Sequence, residues 1–280
     1  MDRVVVVGAG ELGGLVAHAL ARRHVAQEIC VIDDNGRAAQ GKALDIMQSA
    51  PVEGFSSTVV GSSDIGLVGG ATVVVIADAM GGPEFQSDAG LALVKRIRDF
   101  APKSMVVGAG AAHRDLVDRA VRELHVPRDR FVGSAPEALV SGVRGLVAAH
   151  LRASPRDVAL TVLGVPPEHV IVAWEDAVVG GFAFSRLVSE PERRRIEASL
   201  GRLWPPGPYA LAAAAAKVLE TMLGRSERVV TCFVAPDDRE KHRTRTAALP
   251  VRLGRAGLVD VVLPELDGRD RVRFDNAILL

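Results

Sequence analysis

Aromatic residues are scarce in this chain. Eight Phe, two Trp and one Tyr make up 4% of its 280 residues, so a core has to rest on Val, Leu, Ala and Ile. Cysteine is scarcer still. Cys30 and Cys232 cannot make a disulfide framework, and no Cys/His cluster has the spacing of a metal site. Net charge is missing as well: 34 Lys and Arg balance 34 Asp and Glu, which argues against a nucleic-acid or membrane partner. No apolar run is long enough to span a bilayer, the alanine-rich stretch from Ala210 to Ala216 being short. The opening Met-Asp-Arg-Val lacks a signal-peptide layout, so the expectation is a soluble cytoplasmic protein.

What is present begins at the third residue. Val4 to Val7 is a β-branched run of the kind that forms a buried parallel strand, and it runs straight into Gly8-Ala-Gly10-Glu-Leu-Gly13. Gly8 permits a tight turn, Gly10 lets backbone approach a pyrophosphate, and Gly13 lets a helix pack closely on the sheet. A helix starting near Glu11 and Leu12 aims its free N–H groups at the phosphates. Asp33, at the end of the next apolar run, stands where a carboxylate accepts from a ribose 2′-OH. The pair Asp33-Asp34 would oppose a 2′-phosphate, which favours NAD over NADP. The cofactor-binding set is therefore Gly8, Gly10, Glu11, Leu12, Gly13 and Asp33.

Along the first half, strand-like runs (4–7, 29–33, 58–60, 71–77, 104–107, 130–133) alternate with helical stretches (12–23, 40–49, 89–100, 114–124). This βαβ rhythm predicts a doubly wound parallel sheet of Rossmann type. A boundary after Gly133 divides a dinucleotide-binding domain, 1–133, from an α+β domain, 134–280. The second part offers helices over 137–151, 191–203 and 209–223, strands over 158–163 and 170–174, and three runs (228–234, 248–253, 259–263) that suggest an antiparallel group.

At Gln40-Gly-Lys-Ala-Leu-Asp45 and Ala50-Pro-Val-Glu-Gly-Phe55 the chain resembles the lactate/malate dehydrogenase family, especially its lactate-dehydrogenase-like malate dehydrogenases. The resemblance continues collinearly through Pro127 to Gly133, Ser154 to Gly164, Gly207 to Leu223 and Leu249 to Gly254, with a shortened segment between Glu190 and Gly207. It implies a Rossmann-type domain followed by a substrate domain, NAD as cofactor, and assembly into homodimers or homotetramers. It also implies a reaction in which a His held by an Asp accepts a hydroxyl proton as hydride leaves, with Arg side chains gripping the substrate carboxylate.

The residues for that reaction are the chain's most telling absence. The family's His position carries Pro166, within Val165-Pro-Pro-Glu168, and the helix expected to supply Asp and Arg offers Leu139 and Gly142. Gly82 and Asp88 take two positions where the loop after Ile76 should carry basic residues, and Ala109-Gly110 replaces an Asn-Pro pair. No residue receives a catalytic role. Asp78 falls where the family chain passes the cofactor with small residues; a carboxylate there either repels pyrophosphate if desolvated, with Lys95 placed to offset it, or points away. Among other candidates, His169 beside Glu168 reads first as a packing or surface residue, and Arg144 on its helix as a solvated or ion-paired one. Glu175-Asp176 face opposite ways if on a strand, His113-Arg114 start a helix, and the basic run Arg239 to Arg245 reads as a solvated edge. Three readings follow: an NAD-binding family member degenerate for hydroxy-acid chemistry, an oxidoreductase using Glu168, His169 or His113 on another substrate, and an interaction module that binds no dinucleotide. The small-molecule ligand is not specified by the sequence.

Overall fold

A computed structural model of the chain describes residues 2–237 and 244–279. Strand β1 (Arg3–Val7) shows why valine dominates here: Val4 and Val6 enter one core while Val5 and Val7 enter another on the opposite face. A strand covered on both sides needs an unbroken apolar run. Chain order then alternates as α1 (Glu11–Arg22), β2 (Glu28–Ile32), α2 (Gly36–Glu53), β3 (Thr58–Ser62), β4 (Val73–Ile76), α3 (Ser87–Phe100), β5 (Met105–Gly108), α4 (His113–Glu123) and β6 (Phe131–Gly133). These strands lie in the order β3-β2-β1-β4-β5-β6, all parallel. Strand order reverses between β1 and β4, and the crevice beyond their carboxyl ends is where open α/β sheets take ligands.

After Gly133 come α5 (Ala135–Leu151), β7 (Val158–Ala159), β8 (Val162–Val165), β9 (His169–Val172), β10 (Val178–Val179), β11 (Phe182–Ala183), α6 (Phe184–Leu187), α7 (Glu190–Glu197) and α8 (Pro208–Met222). The chain closes with β12 (Val230–Val234), β13 (Ala247–Gly254), β14 (Gly257–Val261) and α9 (Gly268–Ala277). β12 joins the parallel sheet antiparallel to β6, through Phe233 opposite Gly133, and β13, β8 and β9 extend it. The change from parallel to antiparallel pairing thus falls after Gly133. One core joins both parts: α1 and α2 share it with Leu211, Ala215, Val218 and Leu219 of α8. Trp204 packs edge-on against Phe233, with ring centroids 5.8 Å apart, and Trp174 stacks on Phe184 at 4.5 Å. Cys30 and Cys232 are buried in cores on opposite faces of the sheet, which separates the two thiols.

The structure alters four expectations. The single strand expected over 158–163 is two short strands in different sheets, because β7 pairs with β10 while β8 joins the large sheet. The helix expected over 191–203 stops at Glu197 and resumes as a 3₁₀ turn at Leu200–Leu203. Glu175 and Asp176 lie in a 3₁₀ turn after β9 rather than on a strand. Helix α9 lies beyond the last expected element; its start is marked by Asp267, whose side chain accepts the Asp270 N–H at 2.7 Å.

Candidate functional site

The site is built by register. Val7 of β1 lies opposite Ile32 of β2 on one side and Ile76 of β4 on the other. The three residues that follow, Gly8, Asp33 and Ala77, therefore emerge at the same sheet edge, and Asp78 comes out directly beside the glycine turn. Gly8 has φ +108°, a conformation that side-chain-bearing residues rarely adopt, and its N–H donates to the Ile32 carbonyl at 2.7 Å. Gly10 is needed for a second reason, since a Cβ there would collide with the Asp78 carboxylate.

That carboxylate occupies the N-terminus of α1. Asp78 Oδ1 accepts the Gly13 N–H at 2.8 Å, Oδ2 accepts the Leu12 N–H at 3.2 Å, and the Asp78 carbonyl accepts the Gly10 N–H at 3.0 Å. An anion at a helix N-terminus satisfies free N–H groups and the helix dipole together, and here the anion comes from the chain itself. Lys95 is exposed on α3, so the charge of Asp78 is met by backbone N–H groups instead. Glu11 is exposed at the start of α1.

Asp33 is buried, with both oxygens engaged. Oδ2 accepts the Ala9 N–H at 2.8 Å and the Met80 N–H at 2.9 Å, and Oδ1 accepts the Asn35 N–H at 2.9 Å. Met80 belongs to a short hairpin, residues 78–84, closed by the pairing of Asp78 with Glu84 and by the Ala79 N–H donating to the Pro83 carbonyl at 3.3 Å. The far arm of the hairpin repeats the capping on a second helix. Glu84 accepts the Ala111 N–H at 3.0 Å and the Ala112 N–H at 2.8 Å, at the start of α4. The hairpin's side chains and backbone thus engage the N–H groups of Leu12 and Gly13 and the Asp33 carboxylate, the groups that the sequence assigns to a pyrophosphate and a ribose hydroxyl.

Of the residues that the resemblance assigns to the reacting end, Leu139, Pro166, Ala109 and Gly110 are buried, while Gly82 and Asp88 are exposed. Leu139 of α5 is 1% exposed, in an apolar cluster with Val143 and Leu200, and Leu203 lies over Gly142. Pro166 is buried in the turn joining β8 to β9. Gly82 is at the exposed hairpin tip, Asp88 pairs with Arg119 at 2.9 Å, and Ala109 and Gly110 are buried after β5. His113, the first residue of α4, is fully buried. Its Nδ1 accepts the Gly110 N–H at 3.0 Å, which places the ring proton on Nε2. Burial pushes its pKa from 6.5 down to about 4, against a smaller opposing effect of the Phe85 backbone.

The other candidates are dispersed. His169 opens β9 opposite Val165, and Glu168 lines a cavity of ≈ 80 Å³. That is well below the roughly 300–1,000 Å³ of small-molecule sites. Arg144 donates to the Pro155 carbonyl at 3.0 Å, and Arg114 to the Thr246 carbonyl at 2.7 Å. Residues 239–243 of the basic run lie outside the described residues, while Arg245 pairs with Asp118 at 3.1 Å. Among the described residues no group of three or more His, Cys, Asp or Glu is placed to hold a metal, and no helix is long and apolar enough to cross a membrane. Sequence reasoning missed the role of Glu84. Its only signal was a helix start at His113 with no capping side chain of its own.

Residues 2–84 match the family described as lactate/malate dehydrogenase, NAD binding domain, so NAD is the cofactor of the family to which this domain corresponds. The chain is 26% identical to a malate dehydrogenase of Salinibacter ruber over 98% of its length and 93% of the relative's. It is 28% identical to one of Dehalococcoides mccartyi, covering 98% and 95%. Two solved structures share the fold. The Salinibacter ruber malate dehydrogenase has a TM-score of 0.87 at 24% identity, covering 98% of this chain and 93% of that one. A Cryptosporidium parvum lactate dehydrogenase, complexed with lactic acid and nicotinamide adenine dinucleotide, has a TM-score of 0.87 at 22% identity, covering 99% and 94%.

Proposed function

We propose that this chain is a member of the lactate/malate dehydrogenase family, supported by the match over residues 2–84 and by its malate dehydrogenase relatives, and that it is an NAD-binding protein degenerate for hydride transfer to 2-oxo and 2-hydroxy acids. One observation supports the reading: Leu139 and Gly142, which by the sequence resemblance stand where the family carries its base-orienting carboxylate and substrate-gripping Arg, lie in an apolar contact with Leu203. With Pro166 at the position of the base, no group there takes the hydroxyl proton. Removing a general base typically costs 10²–10⁴ in rate, before losses from substrate positioning are counted. In this reading the protein acts through binding, assembly or regulation, as a homodimer or homotetramer in the cytoplasm.

The test combines an NADH fluorescence titration with assays of oxaloacetate, pyruvate and other 2-oxo acids on the same preparation. Binding is expected together with turnover at least about 10⁴-fold below an ordinary enzymatic rate of roughly 10 s⁻¹. Turnover near that ordinary rate would overturn the reading, and its abolition in His169→Ala would point to a rebuilt active site. Light scattering on the eluting protein measures the assembly, and a monomer mass at micromolar concentration removes that part of the proposal.

A further inference from the structure

We propose that the 78–84 hairpin is a built-in occupant of the dinucleotide cradle and that NAD enters only by displacing it; this rests on the reading of the domain as NAD-binding. The hairpin makes two polar contacts of the kind a dinucleotide would make. The Asp78 carboxylate supplies the anion at the N-terminus of α1, through Leu12 and Gly13. The Met80 N–H supplies the donor that a ribose hydroxyl would present to Asp33. Glu84 anchors the other arm on the N–H groups of Ala111 and Ala112, so the strap spans two helix N-termini across the carboxyl ends of β1, β4 and β5.

Two consequences follow from the connectivity. Asp78 and Met80 are two residues apart, so swinging the hairpin out frees the phosphate cradle and Asp33 together. Access is therefore switched as a unit. The occupant is also tethered two residues beyond the end of β4, and a tethered group competes at a high effective concentration however dilute the protein is. Free NAD then binds with an affinity reduced by the fraction of molecules in which the strap is open.

The hairpin is separable from the cradle by substitution. Asp78→Ala is expected to bind NADH at least about tenfold more tightly than the wild type in a fluorescence titration. Asp45→Ala, which removes a charge from the exposed face of α2, is expected to leave the affinity unchanged. A second readout uses inorganic pyrophosphate alone: at millimolar concentration it should raise the unfolding temperature of Asp78→Ala and leave that of the wild type where it was. If Asp78→Ala does not fold, the near-isosteric Asp78→Asn is measured in the same two assays. Equal NADH affinity in wild type and variant, or an equal gain in Asp45→Ala, overturns the occupant while leaving NAD binding intact. If neither protein binds NADH at millimolar concentration and pyrophosphate stabilises neither, the NAD reading falls and the occupant falls with it.

Discussion

Two side chains show how local environment decides behaviour that residue type alone does not. His113 is an ordinary histidine by sequence, yet with its ring sealed and Nδ1 accepting a backbone N–H its pKa falls to about 4. The unfolded chain takes up this proton below pH 6.5 and the folded one only near pH 4, so stability is complete above 6.5 and drains away as pH falls through that window. The full loss amounts to about 3 kcal/mol. His113→Asn keeps an acceptor and does not titrate. Its unfolding free energy, measured by denaturant between pH 7 and 4, should fall less steeply than that of the wild type by about that amount. Leu139 is the second case. Placing a carboxylate there, as Leu139→Asp, puts an unpaired charge into a cluster of Val143, Leu200 and Leu203. A loss of about 3 kcal/mol or more is expected, with no gain in turnover of 2-oxo acids. A stable Leu139→Asp protein would show that the cluster opens readily.

Between elements, a buried polar tie joins α5, α8 and β12. Glu137 is buried; one oxygen pairs with Lys217 and the other accepts the Thr231 N–H at 2.8 Å. Glu137→Ala strands both partners, and a cost of about 3 kcal/mol is expected. Adding Lys217→Met should restore part of it, and strict additivity of the two substitutions would contradict the coupling. Such ties also mark the limit of what the sequence disclosed. The valine runs of β1 and β4 and the turn from Gly8 to Gly13 were legible because strand burial and tight turns are decided within a few residues. The partners of Asp78 and Glu84 were not. Gly13 and Asp78 are far apart in sequence, and only the β1–β4 register brings them together. The sequence marked Asp78 as a charge against pyrophosphate but held no sign that α1 itself neutralises it. The division of 158–163 between two sheets was hidden for the same reason, since strand pairing is not a local property.

At the scale of the whole molecule, a continuous sheet and a shared core couple the two parts. α8, from the second part, fills the core beneath α1 and α2 of the first, and β12 extends the sheet from β6. One cooperative thermal transition is expected, with calorimetric and van't Hoff enthalpies in agreement. Two resolved transitions would mean that the parts unfold independently. The scarcity of aromatic residues gives the same seam an optical consequence. Only two tryptophans are present, and neither lies before Gly133. Trp204 rests on Phe233, whose strand partner is Gly133, the last residue of the parallel sheet. Its emission is a native dye at the junction, so fluorescence from the unlabelled protein reports whether events at the amino-terminal crevice are felt where the two parts meet.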